Sequence, residues 1–298
     1  MKEKRVLATE DLVFKKVFAS PQYSHILAGF INDILGLDVT EVSLEDTYNI
    51  QSFYDEKGNA DLRYTQVDVL ARLRDGSLVG IEMQVYKQAL YRERALLYTA
   101  QNYVGNYGKQ DLMVADTAYR RADAKYSALR PVYSICIMLE NEFLEDDQPI
   151  HHFILYDKEN EMIYKKVNHQ DLLNIVFLEL KKSSSKMQGN IKEWFDYFMR
   201  GEVSEKAPNY VQEACKVASY QRLSKKEKDM IDAKEKREQD AIAREMYVWG
   251  EGRAEGKAEG KAEIISLMAS KGKSHEEIAE LIGLNQEEIE DLLNQRLI

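Results

Sequence analysis

Asp68 stands between Val67 and Val69, and Glu82 stands between Ile81 and Met83. Gln84 follows, between Met83 and Val85. Burying an ionised carboxylate among apolar neighbours costs several kcal/mol unless the charge is paired or bound to a metal. The two acids lie in adjacent β-like runs, Thr65–Leu73 and Leu78–Tyr86, separated by the turn Arg74-Asp-Gly-Ser. A three-residue loop closing with Gly76 in the left-handed region would set Leu73 against Ser77 and Asp68 against Glu82. Gln84 would then share their face. A two-residue Asp75-Gly76 loop would instead place Asp68 opposite Met83. If the carboxylates converge, they repel unless a cation sits between them. All-oxygen ligation suits Mg²⁺, Mn²⁺ or Ca²⁺, with a peptide carbonyl near Met83 as a further donor. Such an ion activates water and clamps a phosphate oxygen, which is phosphodiester hydrolysis chemistry. The same spacing also fits an exposed sheet face on which the acids pair with Arg72 or Arg94.

The elements that must carry these residues are legible in outline. Thr9-Glu-Asp begins a helix with Leu12, Phe14, Val17 and Phe18 at helical spacing, and a second helix over Ser24–Leu35 stops at Gly36. Residues 39–54 can hold a strand, and Asp55–Asn59 reads as a turn. Gln88–Tyr107 reads as a helix with Leu90, Leu96, Leu97, Tyr98 and Tyr103. Arg130–Leu139 is a buried strand, Ile150–Asp157 with Glu161–Lys165 a hairpin, and Leu172–Leu180 a further apolar run. Ile191–Arg200 is an aromatic packing helix, and Asn209–Arg222 is amphipathic.

The chain of 298 residues has room for one good-sized core and an appendage. Its net charge of −10 makes it a poor general polyanion binder, so any nucleic acid must be met by a local basic surface or a metal ion. Cys136 and Cys215 have no CxxC spacing and read as reduced structural thiols, without a zinc site. With neither a signal-peptide pattern nor an apolar run of spanning length, a cytoplasmic protein is the expectation.

After Gly201 the character changes. Ser224–Glu245 reads as an exposed charged helix, followed by the repeat Glu251-Gly-Arg-Ala, Glu255-Gly-Lys-Ala, Glu259-Gly-Lys-Ala, Glu263. Like charges fall at successive i, i+4 positions, and each glycine costs about 1 kcal/mol relative to Ala, so the repeat should not be a stable lone helix. It is either a flexible linker or a segment on which copies of the chain assemble. Ser274–Leu293 has a helix-turn-helix outline turning at Gly283. Its second helix carries Glu287, Glu288, Glu290 and Asp291 and would repel phosphate, which points to a protein-interaction module. Three parts are expected: 1–200, 201–248 as a charged helical connector, and 249–298 as an oligomerisation tail. An internal translation start at Met246 would yield a short form able to co-assemble with the full chain.

The ordered motifs Asp11-Leu-Val-Phe-Lys-Lys-Val-Phe, Asn32-Asp-Ile-Leu-Gly-Leu, Val67-Asp-Val-Leu-Ala, Ile81-Glu-Met-Gln-Val and Arg92-Glu-Arg-Ala-Leu-Leu-Tyr resemble the Rpn family of PD-(D/E)xK nucleases. The resemblance continues through Pro131-Val-Tyr-Ser-Ile-Cys-Ile, Phe177-Leu-Glu-Leu, the Glu-Gly repeat and the tail Lys271-Gly-Lys-Ser-His-Glu-Glu-Ile. It implies an α/β restriction-endonuclease-like core, a central mixed sheet flanked by helices, followed by an α-helical tail. It implies a divalent-metal-dependent DNA endonuclease linked to recombination, mobile elements or phage defence. Asp68 and Glu82 match the metal-binding acids, and Gln84 stands where the wider superfamily has lysine. A glutamine orients water but offers only a dipole in place of a full charge. Asp11 matches an acid that the superfamily often places on the first helix, though an acid at a helix start also favours the dipole. Arg92 and Arg94 could bind phosphate or pair with nearby acids, Lys15 and Lys16 could touch DNA or lie on a solvated face, and Tyr98 and Tyr103 have core-like spacing. The rival reading is an inactive nuclease fold acting as an oligomeric scaffold.

Overall fold

The computed structural model describes residues 7–54, 60–105, 126, 129–165, 171–182, 187–283, 285 and 289. The expected turn at 55–59 lies outside them, as does most of the second helix of the helix-turn-helix outline. Contacts divide the chain into two compact units, Met1–Glu227 and Lys228–Ile298.

The first unit opens with α1 (Asp11–Phe18) and α2 (Ser24–Leu35), and α2 ends on Gly36 in the left-handed region. Strands β1 (Val42–Leu44), β2 (Tyr48–Tyr54), β3 (Ala60–Gln66), β4 (Val69–Leu73) and β5 (Leu78–Gln84) lead to α3 (Tyr91–Gly105). Next come β6 (Val132–Met138), β7 (Ile150–Ile154), the short hairpin β8 (Tyr156–Asp157) and β9 (Met162–Ile163), and β10 (Leu173–Glu179). Two helices close the unit, α4 (Gly189–Arg200) and α5 (Asn209–Ala218).

The main sheet has the order β1-β4-β5-β6-β10-β7, with β2 and β3 paired separately. β5, β6 and β10 run parallel, while β1, β4 and β7 are antiparallel to their neighbours. A near-continuous buried run along β6 is what a central parallel strand covered on both faces requires. Phe14, Phe18, Phe30, Trp194 and Phe198 form an aromatic cluster joining α1, α2 and α4, with adjoining ring centroids 4.9 to 6.5 Å apart. This is the mixed sheet flanked by helices, with a helical C-terminal region, that the resemblance implies.

Two local readings change. The expected strand over Thr65–Leu73 is interrupted at Val67–Asp68, between β3 and β4, so Asp68 sits at a bend. In α3 the apolar pattern misleads: Leu96 and Leu97 are exposed, while Tyr91, Ala95, Thr99, Gln101 and Asn102 are buried. The sheet beneath offers the Ser134 hydroxyl, to which the Thr99 hydroxyl donates at 2.7 Å, so a polar side chain fits there better than leucine.

In the second unit, α6 (Lys225–Ser270), which starts in the first, runs as one helix through the Glu-Gly repeat, so the repeat is not an irregular linker. α7 (His275–Ile282) begins with a capping box between Ser274 and Glu277 and ends on left-handed Gly283. Ile265, Ile278 and Ile289 form a small buried cluster.

Candidate active site

The hairpin that sets the site is closed by Arg74–Gly76. Gly76 donates to the Leu73 carbonyl at 2.9 Å, Leu73 donates to the Ser77 carbonyl at 2.9 Å, and Gly76 has φ +88°. Asp75 holds the turn by accepting from the Ser77 amide and hydroxyl, each at 2.9 Å. This is the three-residue form. β4 and β5 then pair Arg72 with Leu78 and Val69 with Ile81, and that register carried one step past the end of β4 sets Asp68 against Glu82.

Both acids are half-buried. Asp68 Oδ2 accepts from the Met83 amide at 2.8 Å, and Glu82 Oε2 accepts from the Tyr91 hydroxyl at 3.1 Å. Among the described residues, Asp68 Oδ1 and Glu82 Oε1 accept nothing, and neither acid forms an ion pair. Arg72 pairs with Glu45 instead, at 2.7 Å. Burial pushes the Glu82 carboxyl up to about 7, and the Asp68 charge pushes the same way against the Tyr91 hydrogen bond and the Arg94 charge. Burial also raises Asp68, against the Met83 amide and the charge of Lys15, and with the charge of Asp11. Gln84 lies on β5 two residues after Glu82 and on the same face, but its amide nitrogen donates to the Tyr86 carbonyl, leaving the amide oxygen as an acceptor.

The neighbouring charges sort themselves. Asp11 is exposed and bridges Lys15 at 2.9 Å on α1, and both are felt at Asp68. Lys16 pairs with Glu227 at 2.8 Å. Arg92 pairs with Glu142 at 3.2 Å and lies over the Phe143 ring at 4.0 Å. Arg94 donates to the Tyr98 hydroxyl at 3.2 Å and lies over the rings of Tyr91 and Tyr98 at 5.8 and 5.5 Å. Tyr98 is therefore half-buried and engaged through its hydroxyl as well as by packing. Tyr103 is also half-buried. Cys136 is a free buried thiol pushed up to about 12, chiefly by burial, and Cys215 is free and half-buried.

One buried acid was missed by sequence reasoning. Glu179, at the end of β10, is fully buried and accepts from the amides of Glu142 and Phe143 at 2.5 and 3.0 Å. It also meets His151 at 3.2 Å and Lys182 at 2.6 Å. Its signal was the one used for Asp68 and Glu82, an acid flanked by apolar residues, here Leu178 and Leu180.

Asp68 and Glu82 fit a hard divalent cation: two desolvated carboxylates stand together, each with an oxygen that accepts no hydrogen bond among the described residues. Among the described residues no group of three or more His, Cys, Asp or Glu side chains could hold a metal. Among those residues, too, no helix is long and apolar enough to cross a membrane. A family model described as PD-(D/E)XK nuclease family transposase matches residues 8–245. No curated protein and no solved structure matches the chain.

Proposed function

The chain belongs to the PD-(D/E)XK nuclease family transposases, and we propose that its first unit is a divalent-metal-dependent DNA endonuclease of the Rpn type. The observation that carries this reading is the meeting of Asp68 and Glu82 at a half-buried point, each with an oxygen that accepts no hydrogen bond among the described residues. Asp68 and Glu82 would hold Mg²⁺, Mn²⁺ or Ca²⁺, which supplies charge for a phosphate oxygen and lowers the pKa of bound water. The Met83 amide fixes the Asp68 carboxylate, and the Tyr91 hydroxyl fixes that of Glu82. The Gln84 amide oxygen orients the attacking water by accepting its proton in a hydrogen bond. The reading also draws the resemblance's links to recombination, mobile elements and phage defence, in a cytoplasmic protein. The test is cleavage of supercoiled plasmid by the full chain with each ion. Nicking with Mg²⁺ or Mn²⁺ that disappears in Asp68→Ala supports it. A folded chain that cuts with no ion moves the assignment to an inactive scaffold.

The tail favours self-assembly on its own observations. Trp249, Gly256, Gly260 and Leu267 fall within about 40° of one another around α6, and Ile265, which carries the buried tail cluster, lies roughly opposite. Trp249 and Leu267 are exposed, and Gly252, Gly256 and Gly260 face open space. The Glu positions flank the glycines on one side and Arg253, Lys257 and Lys261 on the other, each about 100° away. Two parallel copies related by a twofold axis along the helices would set acids against bases on both flanks. An antiparallel pair would set like against like. The geometry thus favours a parallel homodimer through 249–298, and a short form from Met246 would carry the same seam. Oxidation of Gly252→Cys alone should give a covalent dimer, as should Gly260→Cys alone. Cross-links only in a mixture of the two variants would mean antiparallel pairing. An immunoblot with a tail antibody that shows only the full chain would remove the short form.

A further inference from the structure

Four cationic side chains lie on the two helices nearest the carboxylate pair, and three have acid partners. Lys15 bridges Asp11, Lys16 bridges Glu227 and Arg92 bridges Glu142. Arg94 has none among the described residues. Its guanidinium is nonetheless held, bonded to the Tyr98 hydroxyl at 3.2 Å and set over the rings of Tyr91 and Tyr98. It lies one turn along α3 from Tyr91, whose hydroxyl bonds Glu82, and its charge is felt at Glu82. Tyr98 and Glu82 also line the same small, largely closed void between α3 and the sheet. A half-buried, oriented guanidinium whose charge reaches Glu82 without bridging it is a poor device for stability, because its charge lacks a close partner. It suits an anion that arrives with the reaction. Gln84 cannot fill that place: its amide carries no charge, and one of its two N–H donors is already given to the Tyr86 carbonyl.

We propose that Arg94 binds a non-bridging oxygen of the phosphodiester presented to Asp68 and Glu82, supplying the fixed positive charge that Gln84 lacks. A guanidinium fork matches phosphate geometry, and Tyr98 keeps that fork aimed. The role rests on the nuclease reading above, so its test reads binding as well as turnover.

Arg94→Gln, Arg94→Lys and Lys15→Gln are compared with the natural full chain in three measurements. Plasmid cleavage gives kcat and KM. Anisotropy of a fluorescein-labelled DNA duplex across a salt series, in EDTA, gives phosphate contacts without turnover. Mn²⁺ titration and Tm report the site and the fold. Arg94→Gln should lower kcat by about 100-fold and reduce the salt slope of DNA binding by about one. Mn²⁺ affinity and Tm should stay near those of the natural chain, and Arg94→Lys should recover part of the loss as a point charge. If Arg94→Gln cleaves and binds as the natural chain does, the proposal is overturned. It is also overturned if Tm and Mn²⁺ affinity fall in step with activity, which is a structural role, or if only Lys15→Gln loses activity. A natural chain that binds duplex but never cleaves, with the slope still reduced in Arg94→Gln, ends the nuclease reading and leaves the phosphate contact standing.

Discussion

Glu82 and Glu179 are carboxylates on parallel strands of one sheet, on the α3 side and towards the same end, and they are treated in opposite ways. Glu179 is fully buried and receives two amides, a histidine and a lysine. Glu82 is less buried and receives one tyrosine hydroxyl, with Asp68 beside it. A satisfied buried acid builds structure: Glu179 ties the 140–146 segment to β10, and through Glu142 it anchors Arg92. An under-satisfied acid beside a second acid stores an unfavourable charge that a proton or an added cation relieves.

Removing each acid should therefore act with opposite sign. Glu179→Gln keeps one oxygen for the two amides but takes from buried Lys182 the carboxylate it faces at 2.6 Å, and a loss of about 3–5 kcal/mol is expected in chemical denaturation. Glu82→Gln should instead stabilise the cation-free protein at pH 8, by roughly 2–3 kcal/mol. The sign follows from the upward shift. The neutral Glu82 carboxyl fits the fold, so its contribution is full below 4.5 and is lost as pH rises through about 7. A cation-free stability profile that falls across that window in the natural chain and is flatter in Glu82→Gln would bear this out. A profile unchanged by the substitution would erase the contrast between the two acids.

The smallest expected effect lies between the two elements. Leu90, just before α3, has φ +59°, a left-handed conformation costly for leucine, and its side chain is exposed. Leu90→Gly should raise stability by about 1 kcal/mol or less, with no change in ion binding. A drop in Tm would show that the exposed leucine makes a contact worth more than the strain.

The hairpin was legible because loop length fixes parity. Once Gly76 takes the left-handed position, the meeting of Asp68 and Glu82 follows from counting. The bend at Asp68 was not legible, because Val67 and Val69 continue the β-like pattern through it. The face of α3 was misread for a related reason. Leucines outweigh Thr99 and Asn102 in any apolar pattern, and only the sheet partner, Ser134, reveals that the buried side is polar. Glu179 carried a readable signal, but its partners, His151, Lys182 and the amides of Glu142 and Phe143, come from other segments, and no local spacing predicts them. The helix through the Glu-Gly repeat runs against the local propensity of its glycines, which is why the sequence did not show it.

The most direct test is calorimetric titration of Mn²⁺ into the full chain at pH 7.5, beside Asp68→Asn and Glu82→Gln. The account predicts one ion per chain in the natural protein, with binding weakened at least about tenfold in each variant while both remain folded. Equal binding by all three proteins would contradict it, since the ion would then be held by groups other than Asp68 and Glu82.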